Sequence, residues 1–240
     1  MKYLDLSLPS PEENLACDEA LLDACEAGQS GPVLRFWETA DRFVVVGYSN
    51  RVEQEVNSNA CAQWGIPVFR RCSGGGTVLQ GPGVLNYALV LPIDSHPELA
   101  GIPSTNCFVM QRHRQAVANL FPDRRIEVKG HTDLASDDLK FSGNAQRRHK
   151  NFLLFHGTFL INCDLTWIEK LLPFPSRQPD YRKDRSHHAF LMNLGGRPEK
   201  LKAALRNVWG AHETASDFPR ENTRQLALNK YATKEWNLKF

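Results

Sequence analysis

The stretch Phe69-Arg-Arg-Cys-Ser-Gly-Gly-Gly-Thr-Val-Leu-Gln-Gly-Pro-Gly83 joins a strand-like segment to three consecutive glycines. Three glycines in a row remove three side chains, so backbone amides can approach a ligand closely. Amides exposed in such a turn bind phosphate or carboxylate oxygens, and Arg70 and Arg71 add charge with a fork geometry that suits those oxygens. The stretch therefore predicts an anion-binding turn, although three glycines alone are equally compatible with an exposed surface turn.

The sequence on either side of this turn predicts a mixed α+β fold. Ser10, Pro11 and Glu13 indicate a helix at 10–27, because they match the pattern of a capping box. Apolar runs predict strands at 33–37, 42–47, 67–70, 84–91, 125–129, 133–142 and 152–162. Further helices are expected at 104–120, capped by Ser104 or Thr105, and at 198–209 and 222–232, with a loop at 173–196. This pattern favours a mixed sheet flanked by helices, in one domain over residues 1–240.

Composition and charge exclude several classes of function. Of the 240 residues, 42% are hydrophobic and 23% are charged, and the formal net charge is only +2. Nucleic-acid and membrane-surface partners favour a strong basic excess, so we expect neither. The sequence has no signal-peptide pattern and no apolar run of about 20 residues that could span a bilayer. Because its six cysteines form no C-x-x-C pair, we expect no metal site and reduced thiols in a cytoplasmic protein.

Two further segments carry residues suited to chemistry. Lys140 lies in a strand-like stretch and is followed by small and polar residues. A lysine that faces a pocket can stabilise negative charge that develops on a phosphate or carbonyl oxygen. Taken alone, such a lysine is more often an ordinary solvated side chain. His156 can serve as a base, although buried strand histidines are more often merely hydrogen-bonded.

Together, these segments resemble the lipoate–protein ligase family. The resemblance covers nearly the whole chain, in the order that the family has. Its motifs are Asn14–Leu22, Val44–Gly47, Arg70-Arg-Cys-Ser-Gly-Gly-Gly76, Leu85-Asn-Tyr87, Lys140-Phe-Ser-Gly-Asn-Ala-Gln146, His156-Gly-Thr158 and Lys230–Trp236. The resemblance implies a mixed, largely antiparallel sheet flanked by helices, the catalytic fold shared with biotin ligases and class II aminoacyl-tRNA synthetases.

The resemblance also implies a two-step reaction. The carboxylate of lipoate or octanoate attacks the α-phosphate of ATP, with Mg²⁺, and gives acyl-adenylate and pyrophosphate. The ε-amine of an acceptor lysine then displaces AMP. The implied acceptors are the lipoyl domains of 2-oxoacid dehydrogenases or the H protein of glycine cleavage.

Candidate site residues follow from the same resemblance. Lys140 matches the family's essential lysine, which contacts the acyl carbonyl and the α-phosphate. Arg71 and the triple glycine are expected to hold the acyl and phosphate groups. The residues expected to bind the acyl group and the adenylate are Arg71, Ser73, Gly74, Gly75, Gly76, Thr77, Val78, Asn86, Ser142, Gly143, His156, Gly157 and Thr158.

The sequence departs from the family pattern in two places. Gln80 and Gly81 stand where many members have histidine and aspartate, so the acyl or nucleotide pocket is expected to differ. Two-domain bacterial members continue past the Tyr-x-x-x-x-Trp ending, here Tyr231 to Trp236, into an accessory domain that helps adenylation. We expect no such domain in this chain, so a separate partner chain would supply it, unless the protein only transfers the acyl group.

Two other functions remain open at this stage. An ATP-independent octanoyl- or lipoyl-transferase of the same fold passes the acyl group through a cysteine thioester, and it needs an activated thiol near the lysine. The loop at 124–133 has no cysteine, and Leu172-Pro-Phe-Pro175 stands where another transferase group has Pro-Cys-Gly, which leaves Cys72 and Cys163 as candidates. A non-catalytic member would only bind lipoate-like partners, and replacing Lys140 by alanine would separate it from an enzyme.

Overall fold

The computed structural model describes residues 1–240, which form eleven β-strands and nine α-helices. The strands are β1 (Lys2–Asp5), β2 (Val33–Trp37), β3 (Phe43–Val46), β4 (Val68–Arg70), β5 (Val78–Gln80), β6 (Val84–Pro92), β7 (Ile126–Lys129), β8 (Asp133–Ser136), β9 (Leu139–Arg148), β10 (Phe152–Leu160) and β11 (Glu213–Thr214). The helices are α1 (Pro11–Glu26), α2 (Val52–Glu55), α3 (Ser58–Trp64), α4 (Ile102–Leu120), α5 (Thr166–Leu171), α6 (His187–Phe190), α7 (Pro198–Trp209), α8 (Arg220–Leu226) and α9 (Lys234–Asn237).

An eight-stranded sheet in the order β11-β1-β2-β6-β10-β9-β8-β7 is the frame of the fold. β1 runs parallel to β2 and β11, and all other neighbours in this sheet are antiparallel. A smaller sheet has the order β4-β3-β5, with β3 parallel to β4 and antiparallel to β5. The arrangement confirms the predicted α+β class with a mixed, largely antiparallel sheet.

Helices cover both faces of the large sheet, as the alternation along its central strands requires. On β6, Tyr87 and Leu89 join a 24-residue core that includes residues of α4 and α7. Ala88 and Val90 point the other way and pack in a second cluster with α1, together with Leu154 of β10. Residues of β10 that lie two or four positions from Leu154, such as His156 and Thr158, therefore face the α1 side of the sheet.

The helix predicted at 198–209 has its expected bounds, whereas α8 spans Arg220–Leu226 where 222–232 was predicted, and α6 lies within the predicted loop at 173–196. The Ser10 hydroxyl accepts from the Glu13 amide, and the Glu13 carboxylate accepts from the Ser10 amide, which confirms the capping box. The predicted caps of the 104–120 helix were wrong, because α4 already begins at Ile102 after Gly101. Ser104 and Thr105 instead donate their hydroxyls to backbone carbonyls that precede the helix.

A hairpin replaces the single strand predicted at 133–142. Asp137 and Asp138 both have positive φ values, 51° and 61°, which is the conformation of a tight two-residue turn between β8 and β9. The pairing then shifts, since Leu134 lies opposite Ser142 whereas Ala135 lies opposite Lys140. Such a bulge changes the direction of side chains.

None of the helices combines the length and apolar character that a bilayer crossing requires.

Candidate functional site

A cavity of about 820 Å³ opens on the α1 side of the large sheet. Ligand pockets commonly have about 300–1,000 Å³, so this one has room for a nucleotide or an acyl chain. Its walls come from the glycine turn after β4, from β9 and β10, and from the segments 130–133 and 177–181. Its apolar part is formed by side chains that include Leu15, Trp37, Val45 and Val78.

The floor of the cavity is formed by two pairs of opposed residues on β9 and β10. His156 lies opposite Ala145, and Thr158 lies opposite Gly143. A Cβ built on Gly75 would lie 3.5 Å from the Ala145 Cβ, so the glycine turn stands over the first pair. A Cβ built on Gly143 would lie 2.9 Å from Lys140 Nζ, so the ammonium stands over the second pair. Two residues of a strand span about 7 Å, which sets the scale of the gap between the turn and the ammonium.

The bulge in β9 is what turns Lys140 toward this floor. Phe141 is the extra residue of β9 between Lys140, which lies opposite Ala135, and Ser142, which lies opposite Leu134. Its ring is buried in the core on the α4 side. Lys140 therefore shares the cavity face with Gly143 and Ala145. The structure brings Lys140 and the glycine turn into one cavity, as the sequence predicts.

Two residues that the sequence did not single out hold the lysine. The Lys140 ammonium lies 2.8 Å from Asp133 Oδ1, in an ion pair whose lysine side chain is 27% exposed. The Tyr181 hydroxyl donates to Asp133 Oδ2 at 2.8 Å. Burial, followed by the charge of Asp133, raises the pKa of Tyr181 above its usual value, so the phenol remains a donor. Asp133 thus orients the ammonium and also anchors segment 177–181 through its hydrogen bond from Tyr181.

The proposed ligand role of Arg70 is wrong. Its guanidinium is fully buried and donates to the carbonyls of Gly47, Tyr48, Asn50, Trp236 and Asn237. Arg70 is also absent from the residues that line the cavity, so its guanidinium does not reach a ligand there. Arg70 is a structural residue that joins the turn to the segment at 236–237.

Arg71 supports the glycine turn from the cavity side. Its Nε donates to Ser73 Oγ at 3.1 Å, and its Nη2 donates to the carbonyls of Gly74 at 2.5 Å and Gly76 at 2.8 Å. Burial lowers the pKa of Arg71 to about 10, so it remains charged at neutral pH. Nη1 makes no hydrogen bond within the chain and is the nitrogen that a ligand oxygen could engage.

His156 is the centre of a buried polar chain behind the turn. Its Nε2 lies 2.5 Å from Ser73 Oγ, and its Nδ1 lies 3.4 Å from Asp18 Oδ2. Asp18 Oδ1 pairs with Arg35 Nη1 at 2.6 Å, and the Arg35 side chain is wholly buried. Sequence reasoning missed Asp18 and Arg35, although one charged residue within an apolar helix face and another at the middle of a buried strand are recognisable signals.

Of the predicted site residues, eleven line the cavity: Arg71, Gly75, Gly76, Thr77, Val78, Asn86, Lys140, Gly143, His156, Gly157 and Thr158. Three lie behind its wall. Ser73 holds His156, the Gly74 carbonyl accepts from Arg71, and the Ser142 hydroxyl accepts from Asn144 Nδ2 at 3.2 Å. These three support the wall instead of contacting the cavity.

The departure at Gln80 is accommodated by a neighbouring amide. Gln80 Nε2 donates to Asn86 Oδ1 at 2.7 Å, and Asn86 Nδ2 donates back to Gln80 Oε1 at 2.9 Å. Both side chains are buried, and both residues line the cavity. The cavity wall therefore has a self-paired amide at the position where the family resemblance predicts a histidine.

Gly157 has no space for a side chain. A Cβ there would lie 1.9 Å from Asn144 Oδ1, which accepts from the Tyr87 hydroxyl at 2.6 Å. We expect Gly157→Ala to lower the free energy of unfolding by about 1–3 kcal/mol, because the added methyl must displace a hydrogen-bonded side chain. Urea unfolding measures this loss. Gly31→Ala is the matched control, since a Cβ on Gly31 meets nothing within 4 Å, and equal losses in both variants would contradict the prediction.

The cavity wall contains no thiol. None of the six cysteines is among its residues, and only Cys107 is exposed. Burial raises the pKa of Cys72 to about 12 and that of Cys163 to about 11, so both thiols are neutral at pH 7. The reacting form of cysteine is the thiolate, which these two residues do not populate.

The sheet, the glycine turn and the lysine define a class of catalytic domain, the fold that lipoate and biotin protein ligases share. Within that class the assignment is specific. The chain belongs to the family of lipoyl protein ligase A/B catalytic domains, which matches residues 10–196.

Its relatives include both kinds of acyl-transfer enzyme. The octanoyltransferase LipM of Carboxydothermus hydrogenoformans is 29% identical, over 100% of this chain and 98% of that protein. Lipoate-protein ligase A subunit 1 of Thermoplasma acidophilum is also 29% identical, over 94% of this chain and 91% of that protein. A crystal structure of lipoate-protein ligase A bound with ATP has a TM-score of 0.78 and 26% identity, over 99% of this chain and 98% of that one. The chain is therefore an enzyme of the lipoate–protein ligase or octanoyltransferase kind.

Proposed function

We propose that the chain is a lipoate–protein ligase. In the first step, the carboxylate of lipoate or octanoate attacks the α-phosphate of ATP, and pyrophosphate leaves. In the second step, a lysine amine of the acceptor attacks the acyl carbonyl, and AMP leaves. The observation that carries the proposal is a cavity that combines an ammonium and a glycine turn but contains no thiol.

Lys140 is the residue to which we assign the main electrostatic role. Negative charge grows on the phosphate oxygens in the first step and on the acyl carbonyl oxygen in the second. A fixed ammonium over the floor of the cavity stabilises both charges. Asp133 keeps the ammonium in place through the 2.8 Å ion pair, and the incoming anion would share the lysine with it.

The residues present fit a nucleotide with Mg²⁺. Backbone amides of the turn and the free Nη1 of Arg71 are suited to phosphate oxygens. Mg²⁺ usually takes most of its protein ligands from one or two carboxylates and the rest from substrate phosphates and water. Asp180, in the cavity wall, is the carboxylate that would hold it, because both oxygens of Asp133 are bonded to Lys140 and Tyr181. The ion would neutralise phosphate charge during the attack.

The apolar part of the cavity suits the acyl chain. Leu15, Trp37, Val45 and Val78 line it, and each buried methylene contributes about 0.8 kcal/mol to binding. The acceptors we assign are lipoyl domains of 2-oxoacid dehydrogenases or the glycine-cleavage H protein. We also propose that a separate accessory chain assists adenylation, because the Thermoplasma relative is named as subunit 1 of its ligase.

An ATP-independent octanoyltransferase is the second candidate, and the LipM relative favours it. That reaction passes the acyl group through a thioester on a cysteine. The six thiols of this chain lie outside the cavity wall, which supports the ligase over the transferase.

The deciding experiment supplies the two acyl donors separately. The protein is incubated with a lipoyl domain and either octanoate, ATP and Mg²⁺ or an octanoyl thioester of acyl carrier protein, and mass spectrometry follows the products. We expect acyl-adenylate and acylated lipoyl domain with ATP. Acylation from the thioester alone, with no adenylate even after a candidate accessory chain is added, would contradict the ligase assignment.

Cysteine variants test whether a thiol of this chain carries the acyl group. Cys72→Ala and Cys163→Ala are each expected to keep acylation within about threefold of the unaltered protein, because both thiols are neutral and outside the cavity. The measurement is the initial rate of lipoyl-domain acylation, with thermal unfolding as a check on the fold. A loss of more than about 100-fold in a folded variant would indicate a thioester route.

A further inference from the structure

His156 is the only cavity-wall histidine bonded to a carboxylate. It is 7% exposed, whereas the other histidine of the wall, His131, is exposed and makes no hydrogen bond within the chain. Asp18 lies on one side of the ring and Ser73 on the other. The arrangement places serine, histidine and aspartate in the order that proton transfer through an imidazole requires.

The hydrogen-bond partners of His156 and Ser73 indicate which of their atoms carry hydrogen. With Asp18 as the acceptor, His156 Nδ1 donates the hydrogen and Nε2 is left as the accepting nitrogen of the ring. The Ser73 hydroxyl must then donate to Nε2, across 2.5 Å. Arg71 Nε donates to the same hydroxyl oxygen at 3.1 Å and takes one of its two lone pairs. Ser73 is 1% exposed and lies behind the cavity wall, whereas His156 lines the cavity, so Nε2 is the proton acceptor of this chain that an amine in the cavity can reach.

The proposed reaction needs a proton acceptor in only one of its two steps. A carboxylate that attacks a phosphate releases no proton, so the first step needs no base. A lysine side chain arrives largely as an ammonium and must lose a proton before and during its attack on the acyl carbonyl. Among the other groups at or behind the cavity wall, Arg71 is charged, Lys140 and Asp133 are paired with each other, and the thiols of Cys17 and Cys72 are neutral and buried.

We infer that His156 is the general base of amine acylation, and that Asp18 and Arg35 are its positioning residues. As the amine nitrogen bonds to the acyl carbon and the C–O bond to AMP breaks, an amine proton passes to Nε2 of His156, which lines the cavity, while the Ser73 hydroxyl gives up its hydrogen bond to that nitrogen. Asp18 stabilises the imidazolium that forms, and Arg35 holds the Asp18 carboxylate in place through their ion pair.

This inference rests on the proposed acylation of a lysine amine, and the test separates the two. The full chain is assayed for three products: acyl-adenylate, the acylated lysine of a lipoyl domain, and the hydroxamate formed with hydroxylamine. Hydroxylamine is uncharged at neutral pH and needs no base to become a nucleophile. The variants are His156→Ala and Ser73→Ala, and the control is His149→Ala, whose residue is outside the cavity wall.

For His156→Ala, we expect the rate of lysine acylation relative to hydroxamate formation to fall by about 100-fold or more. For Ser73→Ala, which removes only the hydrogen-bond partner of the ring, we expect a smaller fall. Adenylate formation in the same variants shows that the cavity is folded, and His149→Ala should leave the ratio unchanged. Equal losses with both acceptors would overturn the base assignment and leave a structural role. If the unaltered chain acylates the lysine only from an acyl thioester, the ligase proposal fails, and the ratio measured with that donor still tests His156. Acylation of the lysine from neither donor would overturn both.

Discussion

Lys140→Ala is expected to reduce acylation of a lipoyl domain by about 100- to 1,000-fold, since removing one preorganised group that stabilises transition-state charge costs this much. Binding of lipoate should be largely retained, because the apolar wall at Leu15, Trp37 and Val78 is unchanged. Initial rates measure the first effect and calorimetric titration measures the second. The difference between the two measurements distinguishes an enzyme from a protein that only binds lipoate.

Lys129→Ala is the matched control for this change. Lys129 is also a strand lysine in ion pairs, with Glu127 at 3.6 Å and Asp138 at 3.0 Å, but it does not line the cavity. Its loss should leave acylation unchanged. Full activity of Lys140→Ala, or equal losses in the two variants, would refute the role assigned to the cavity lysine.

Arg35→Met is expected to lower the free energy of unfolding by about 3–5 kcal/mol, because it leaves the Asp18 carboxylate buried without its cation. Arg35 also donates to the carbonyls of Leu6 and Asn14, so several buried acceptors lose their donor together. Urea denaturation of the free chain measures the loss.

Arg220→Ala is the control, because it removes a solvent-exposed ion pair instead of a buried one. Arg220 and Asp217 lie 3.4 Å apart with side chains that are 72% and 76% exposed, and such pairs contribute about 0–1 kcal/mol. Adding Asp18→Leu to Arg35→Met should recover part of the stability, since it removes the unpaired charge. A single-variant loss below about 1 kcal/mol would show that the buried pair is not needed for the fold.

Local signals predicted most of the large elements. Val33–Trp37 and Pro198–Trp209 have the predicted bounds, because an alternating strand and a Pro-to-Gly helix are both specified by nearby residues. The hairpin at Asp137 and Asp138 was missed, because aspartate gives a weaker turn signal than glycine or asparagine. The bulge at Phe141 depends on pairing with another strand, which no local pattern contains.

The site was predictable where motif resemblance located it. Lys140, the glycine turn and His156 came from such motifs, and they line one cavity. Asp133 and Tyr181 could not be found in this way, because they meet only after the segment that carries Tyr181 folds over β8. Arg70 was misassigned because a buried arginine with carbonyl partners and an arginine in a ligand site look the same in a sequence.

The Arg70 contacts have a consequence for how the protein is made. Trp236 Nε1 donates to the Arg70 carbonyl, and Asn237 Oδ1 accepts from the Arg70 amide, so residues 166 and 167 positions downstream complete the edge of β4. When the first half of the chain has been synthesised, all the glycines of the turn are present, but Trp236 and Asn237, which hold its edge, are not. The turn can reach its described form only after synthesis has passed Asn237, so nascent chains stalled before that point should lack the described turn.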